Sequence, residues 1–224
     1  MYFDISWKNL TSLIGIDFPD GITELNCSHN SLTSLEGCPN SVTYLDCSNN
    51  SLTSLKNCPN SVTELDCSHN SLTSLKNCPN SVTYLDCSDN SLTSLEDCPN
   101  SVINLDCSHN SLTSLEICPN KVTTLDCDNN SLTSLQYCPN SVKHICYVHN
   151  PMCEEYSDKE VKDIHKINTI KLYKRGIEQV NTVISATKIQ RLWKRYWYNT
   201  LDDNGINRYC KFALNQACCD GIVI

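Results

Sequence analysis

Residues 40 to 59 read NSVTYLDCSNNSLTSLKNCP, and residues 60 to 79 read NSVTELDCSHNSLTSLKNCP. The two stretches differ only at Tyr44 against Glu64 and Asn49 against His69. Working outward from this pair, the same twenty-residue frame begins at Ile22, Leu25, Cys27, Asn30, Leu32 and Leu35 and continues through Val62, Val82, Val102 and Val122, giving six consecutive copies. Self-similarity at a fixed short period is the signature of a stack of coils, each too small to bury its own apolar face.

The spacing within one copy specifies a coil. Leu45 and Cys47 are two residues apart, so both point inward from a short strand whose alternate residues, Tyr44, Asp46 and Ser48, point outward. Stacking then places these outward residues in columns along one face. Asn50 recurs where a tight corner leaves backbone groups buried between coils. Its carboxamide both donates and accepts, and is expected to satisfy its own coil and the next. Pro59 suits an extended return, where a missing N–H breaks no ladder.

Val42, Leu45, Cys47, Asn50, Leu52 and Leu55 fit the pattern L-x-x-L-x-L-x-x-N-x-L, and on these residues the chain resembles leucine-rich repeat proteins. The twenty-residue length, "LDCSNNSLTSL" and a proline in the return look like the short class found in bacterial effectors and giant DNA virus proteins. The resemblance covers about residues 3–153. It implies an α/β repeat solenoid: a right-handed leucine-rich repeat horseshoe with short parallel concave strands and extended returns, followed by a helical C-terminal region. Residues 1–20 read as an atypical capping coil (Phe3, Ile5, Leu10, Leu13, Pro19) with Lys8 in the asparagine slot and a return two residues longer. Residues 21–155 read as the solenoid, whose degenerate last coil carries Val142, Ile145, Tyr147, Asn150 and Met152, with Glu155 in a leucine slot. Residues 156–224 read as the helical region.

Charge divides the chain at the same place. Of 224 residues, residues 1–155 hold 5 Lys/Arg against 18 Asp/Glu, a net of −13, and residues 156–224 hold 12 against 7, a net of +5. An acidic chain with only a short basic stretch speaks against nucleic acid as a partner. "MYFDISWKNL" at residues 1–10 lacks a basic start and an apolar h-region, and no run of about 18 apolar residues occurs. The expectation is an intracellular protein with reduced thiols, neither secreted nor membrane-bound, which the viral resemblance would place in the cytoplasm of an infected host cell.

The outward columns supply the candidate site. Asp46, Asp66, Asp86, Asp106 and Asp126 fall in one concave column, with Asn26 at its start, on strands about 4.8 Å apart. Beside them Tyr44, Glu64 and Tyr84 alternate. Stacked carboxylates repel, so three readings stand: solvated side chains that are a habit of this repeat class, a surface for a basic partner, or a calcium column. The cysteines form two files, Cys27/47/67/87/107/127 and Cys38/58/78/98/118/138, expected to be inert buried thiols. No C-x-x-C occurs, and His29, His69 and His109 lie two coils apart, about 10 Å, so they read as solvated residues that share no ion. Neither metal nor cofactor is expected. G-x-S-x-G and G-x-x-x-x-G-K are absent, the chain has six glycines, and Cys210 has no nearby histidine in sequence, so no enzyme is expected.

The tail changes period. Ser157 and Glu160 make a capping box, and Val161, Ile164, Ile167 or Ile170, Tyr173, Ile177, Val180 and Ile184 follow at helical spacing, with Gly176 as a break. The first helix is expected to pack on the last coil and close its apolar edge. "SATKIQRLWKRYWYN" at residues 185–199 resembles an IQ motif. Ile189 and Gln190 match; Lys194 stands for the first arginine, Arg195 for the glycine and Asn199 for the last arginine. That resemblance implies calmodulin or another EF-hand protein as partner, and Ile189, Trp193 and Trp197 at i, i+4, i+8 with Lys188, Arg191 and Lys194 suit a helix-in-groove complex. Two other readings remain: a tail that packs its own tryptophans, and a basic tail clamped on the acidic face. The expected function is a non-enzymatic protein-interaction scaffold. The alternative is a substrate-recruiting adaptor for a ubiquitin-type enzyme acting in trans.

Overall fold

A computed structural model describes residues 1–152 and 161–168. Eight three-residue strands run β1 (Tyr2–Asp4), β2 (Glu24–Asn26), β3 (Tyr44–Asp46), β4 (Glu64–Asp66), β5 (Tyr84–Asp86), β6 (Asn104–Asp106), β7 (Thr124–Asp126) and β8 (His144–Cys146). They form one parallel sheet in sequence order, each strand beside the next. The register steps by twenty residues, Leu25 to Leu45 to Leu65, except that Phe3 pairs with Leu25, a step of twenty-two. The longer first return anticipated from sequence accounts for that step. Gly37 packs against it: a Cβ there would lie 2.9 Å from the Leu13 backbone, and its φ of 94° is open to glycine at little cost.

One coil explains the rest. In each strand from β2 to β7 the middle leucine is buried and its neighbours are exposed or half-buried, as period-two alternation requires. Val62, Leu65, Cys67, Leu72 and Leu75 are all fully buried, and their counterparts above and below complete one continuous core. Cys67 uses its thiol as well as its bulk. Its Sγ donates to the Asp86 carbonyl of the following coil at 3.2 Å, and the same bond recurs from Cys27 to Cys127.

The chain leaves each strand through a left-handed residue. His29, Asn49, His69, Asp89, His109, Asn129 and His149 all have φ between 50° and 53°. Asn and Asp tolerate this region best among residues with side chains, and His follows. This corner turns the preceding serine inward: Ser48, expected on the open face, is buried, as are Ser28, Ser68, Ser88 and Ser108.

The asparagine that follows holds the corner, but against the preceding coil and not the next. Asn50 Nδ2 donates to Cys27 O at 3.1 Å as well as to Cys47 and Ser48 in its own coil, while its Oδ1 accepts from Leu32 N at 2.9 Å. The direction follows from the handedness of the stack, which a single coil's sequence does not carry. The extended return then takes two tight turns, Cys58 N to Leu55 O and Val62 N to Pro59 O.

At the far end a helix, α1 (161–168), lies against the return of the β7 coil. Ile164 is fully buried, Ile167 packs on the core, and Asn168 Nδ2 donates to Leu135 O. A helix is present here as expected, but the hydrogen bond from Asn168 and the contact of His165 with Cys138 fall on the coil before the last. Ser157 and Glu160, the expected cap, lie outside the described residues.

Candidate partner-binding surface

The strands present two outward columns. The first runs Tyr2, Glu24, Tyr44, Glu64, Tyr84, Asn104, Thr124, His144, with every side chain exposed. The second runs Asp4, Asn26, Asp46, Asp66, Asp86, Asp106, Asp126, Cys146. Parallel in-register pairing puts Tyr44, Asp46, Glu64, Asp66, Tyr84, Asp86, Asp106 and Asp126 on one surface.

Asp46, Asp66, Asp86, Asp106 and Asp126 are half-buried, and each serves its own coil. Asp86 Oδ1 accepts from Ser88 N at 3.0 Å and Ser88 Oγ at 2.7 Å, closing the corner, and Asp46, Asp66 and Asp106 do the same. Asn26 makes identical bonds to Ser28 with its amide oxygen, so the geometry needs an acceptor and not a charge. Asp126 bonds only the backbone N–H of Asp128. This arrangement corrects the picture of simply solvated carboxylates.

Carboxylates accumulate on this face. Burial first pushes the Asp66, Asp86 and Asp126 carboxyls above the usual range; the bonds from residues 68, 88 and 128 oppose that, and neighbouring aspartates add to it. Tyr44 and Tyr84 are raised too, by burial and then by the carboxylates around them. Among the described residues no lysine or arginine lies within ion-pair distance of these columns.

His69 and His109 are exposed, as expected, and they also meet neighbours. His69 Nε2 lies 3.4 Å from Asp89 Oδ2, His109 Nδ1 lies 4.0 Å from Asp89 Oδ1, and Asn129 Nδ2 contacts His109 Nε2 at 3.2 Å. Asp89 stands in the coil between the two histidines, which sequence spacing alone left unlinked. At the other end Trp7 stacks on His29 at 3.8 Å.

The cysteine files stay within the core. Burial raises the Cys47, Cys67, Cys87 and Cys107 thiols far above their usual range and lifts Cys58 and Cys98 to about 12, so none is a ready nucleophile or ligand. Among the described residues no group of three or more His, Cys, Asp or Glu is placed to hold a metal ion, and no helix is long and apolar enough to cross a membrane. The nearest approach to a dyad, Cys138 Sγ to His165 Nε2 at 4.0 Å, joins a buried thiol lifted to about 12 to a histidine whose burial lowers its basicity. Ile189, Gln190, Trp193, Lys194 and Trp197 lie outside the described residues.

Eight parallel strands, an asparagine at each corner from Asn30 to Asn150 and inward leucines from Leu25 to Leu125 define a leucine-rich repeat solenoid. No protein-family model and no curated protein matches the chain. Solved leucine-rich repeat structures do. YopM from Yersinia enterocolitica aligns at 31% identity with a TM-score of 0.54, over 60% of this chain and 30% of that one. YopM from Yersinia pestis, a leucine-rich effector protein, aligns at 28% identity and 0.52, over 60% and 38%. The leucine-rich repeat domain of a Shigella effector aligns at 28% and 0.55, over 67% and 69%. The chain spans about a third of the length of the two YopM chains it matches.

Proposed function

We propose that the chain is a non-enzymatic protein-interaction scaffold whose partner seats on the concave sheet across Tyr44, Asp46, Glu64, Asp66, Tyr84, Asp86, Asp106 and Asp126. One observation carries this reading. Among the described residues the repeated polar groups of the corners find partners within the coil and its neighbours, with Gln136 Nε2 on one return as an exception, whereas the concave columns hold exposed aromatic rings and half-buried carboxylates with no cationic partner. Exposed tyrosines on a rigid surface are strong contact residues, giving large area for little lost conformational freedom. The similarity to bacterial effector structures supports the same class.

The full chain carrying a photoreactive phenylalanine at Asn104 on the concave face, or at Lys56 on a return, tests it in a cell extract. Partner adducts at position 104 and not at 56 are the expected result; adducts only at 56 overturn it.

The domain division proposed with it is a capping coil over 1–20, the solenoid over 21–155 and a helical region over 156–224. A second docking site in that last region, for calmodulin or another EF-hand protein, is favoured by the helical spacing of Ile189, Trp193 and Trp197 beside Gln190 and Lys194. Calorimetric titration of calmodulin, with calcium and with chelator, decides it: binding lost in Ile189→Ala/Trp193→Ala supports the site, and no heat in either condition removes it. A host-cell location follows from the same reading. The adaptor alternative, recruitment for a ubiquitin-type enzyme in trans, uses the same concave surface and is distinguished by co-purifying ligase components.

A further inference from the structure

The concave sheet has an internal spacing that narrows its partner. Tyr2, Glu24, Tyr44, Glu64 and Tyr84 are consecutive members of one column, each paired directly with the next. Strands lie about 4.8 Å apart, so successive tyrosines stand about 10 Å from one another with a glutamate midway. A cation between two rings that far apart is about 5 Å from each, within the roughly 6 Å over which an aromatic face attracts it. Tyr2, Tyr44 and Tyr84 are 54%, 37% and 45% exposed, so the clefts between them are open. The floor beside them is Asn26, Asp46, Asp66 and Asp86, each engaged through one side-chain oxygen with its own serine. No lysine or arginine of the described residues enters either cleft.

We propose that Tyr2–Glu24–Tyr44 and Tyr44–Glu64–Tyr84 are two adjoining cation clefts that receive Arg or Lys side chains of a basic, extended polypeptide lying across the strands. The period identifies the ligand's form. In a polyproline II segment every third residue faces the same way, at a repeat of about 9.3 Å, which matches two coils. In a β-strand same-face residues recur about every 6.7 Å and fall out of step after one cleft. The partner is therefore a proline-rich segment with a basic residue at every third position. Tyr44 is shared by both clefts and is the residue on which binding depends most. This inference rests on the concave sheet being the partner surface, and it goes further by fixing what the partner carries.

Fluorescence anisotropy of the full chain with a labelled twelve-residue peptide of Arg-Pro-Pro repeats tests it, beside a peptide of equal charge with its arginines adjacent. The spaced peptide is expected to bind more tightly. Tyr44→Ala should weaken it about tenfold and Tyr44→Phe less than about twofold, because the ring face and not the hydroxyl holds the cation. Glu64→Gln should weaken it several-fold, whereas Glu96→Gln, an equal charge change at an exposed residue of a return, should not.

Equal affinity for both peptides, or equal loss in Glu64→Gln and Glu96→Gln, would mean a diffuse acidic field and overturn the clefts. Displacement of the peptide by millimolar calcium but not by salt of equal ionic strength would make the carboxylates a calcium site and also overturn them. If neither peptide binds while concave photo-adducts persist, the clefts fall and the scaffold stands; adducts only on the returns remove both.

Discussion

The Asn90 side chain reaches back one coil and donates to the Cys67 carbonyl at 3.1 Å. It also donates to Cys87 O and Ser88 O and accepts from Leu72 N at 2.8 Å, so one carboxamide satisfies four backbone groups in two coils. Asn90→Ala orphans Leu72 N near the middle of the stack and takes one of two hydrogen bonds from Cys67 O, Cys87 O and Ser88 O, which keep Asn70 Nδ2, Asn110 Nδ2 and His69 N. A buried donor left unsatisfied costs about 1–3 kcal/mol, so a loss of that size is expected, read as a lower midpoint in urea denaturation. A repeat array weakened at its centre should also lose its single transition, giving two steps by circular dichroism.

Asp86→Asn should stabilise. Asn26 already makes the Asp86 bonds with an amide, so the substitution keeps the corner and removes a repelling charge. Like charges across paired strands cost about 0.2–1 kcal/mol, and a gain of that size is expected in Tm. The pH dependence has a definite sign. Asp66 and Asp86 hold protons more tightly folded than unfolded, so stability falls as pH rises from the ordinary carboxyl value of 3.8 through their raised values. Thermal melts should therefore move up on acidification from neutral toward that window, and Asp66→Asn/Asp86→Asn should flatten the trend.

Position 69 should accept asparagine and reject valine. His69 has φ 50°, the value Asn129 shows three corners further on in that column. A β-branched residue pays the full steric cost of the left-handed region, about 1–2 kcal/mol, so His69→Val should lower Tm while His69→Asn leaves it nearly unchanged. The small effect of losing the exposed contact to Asp89 bounds the latter.

Thiol labelling should divide the described cysteines sharply. Cys146 is exposed, whereas Cys27, Cys47, Cys67, Cys87, Cys107 and Cys127 are fully buried. Under native conditions an alkylating reagent followed by peptide mass mapping should modify Cys146 first, even though partial burial and then Asp126, Asp128 and Asp106 raise its thiol. The core file should react only at the rate of unfolding. Early labelling of Cys67 would contradict its place between Val62 and Leu75.

The period, the strand at Tyr44–Asp46, the inward leucines, the long first return and a helix after the coils were all legible in the sequence, because each depends on local spacing and on burying a face that one coil cannot bury alone. The concave columns were legible for the same reason, as a residue's place in its coil fixes its column. Only the stacked structure decided where polar groups find partners. It turned Ser48 inward, sent Asn50 to the preceding coil, placed Asp89 between His69 and His109, and gave the buried thiols a carbonyl in the following coil. Those choices depend on the handedness of the stack and on a left-handed residue at each corner, which act between residues about twenty apart and leave no mark in the pattern of any single coil.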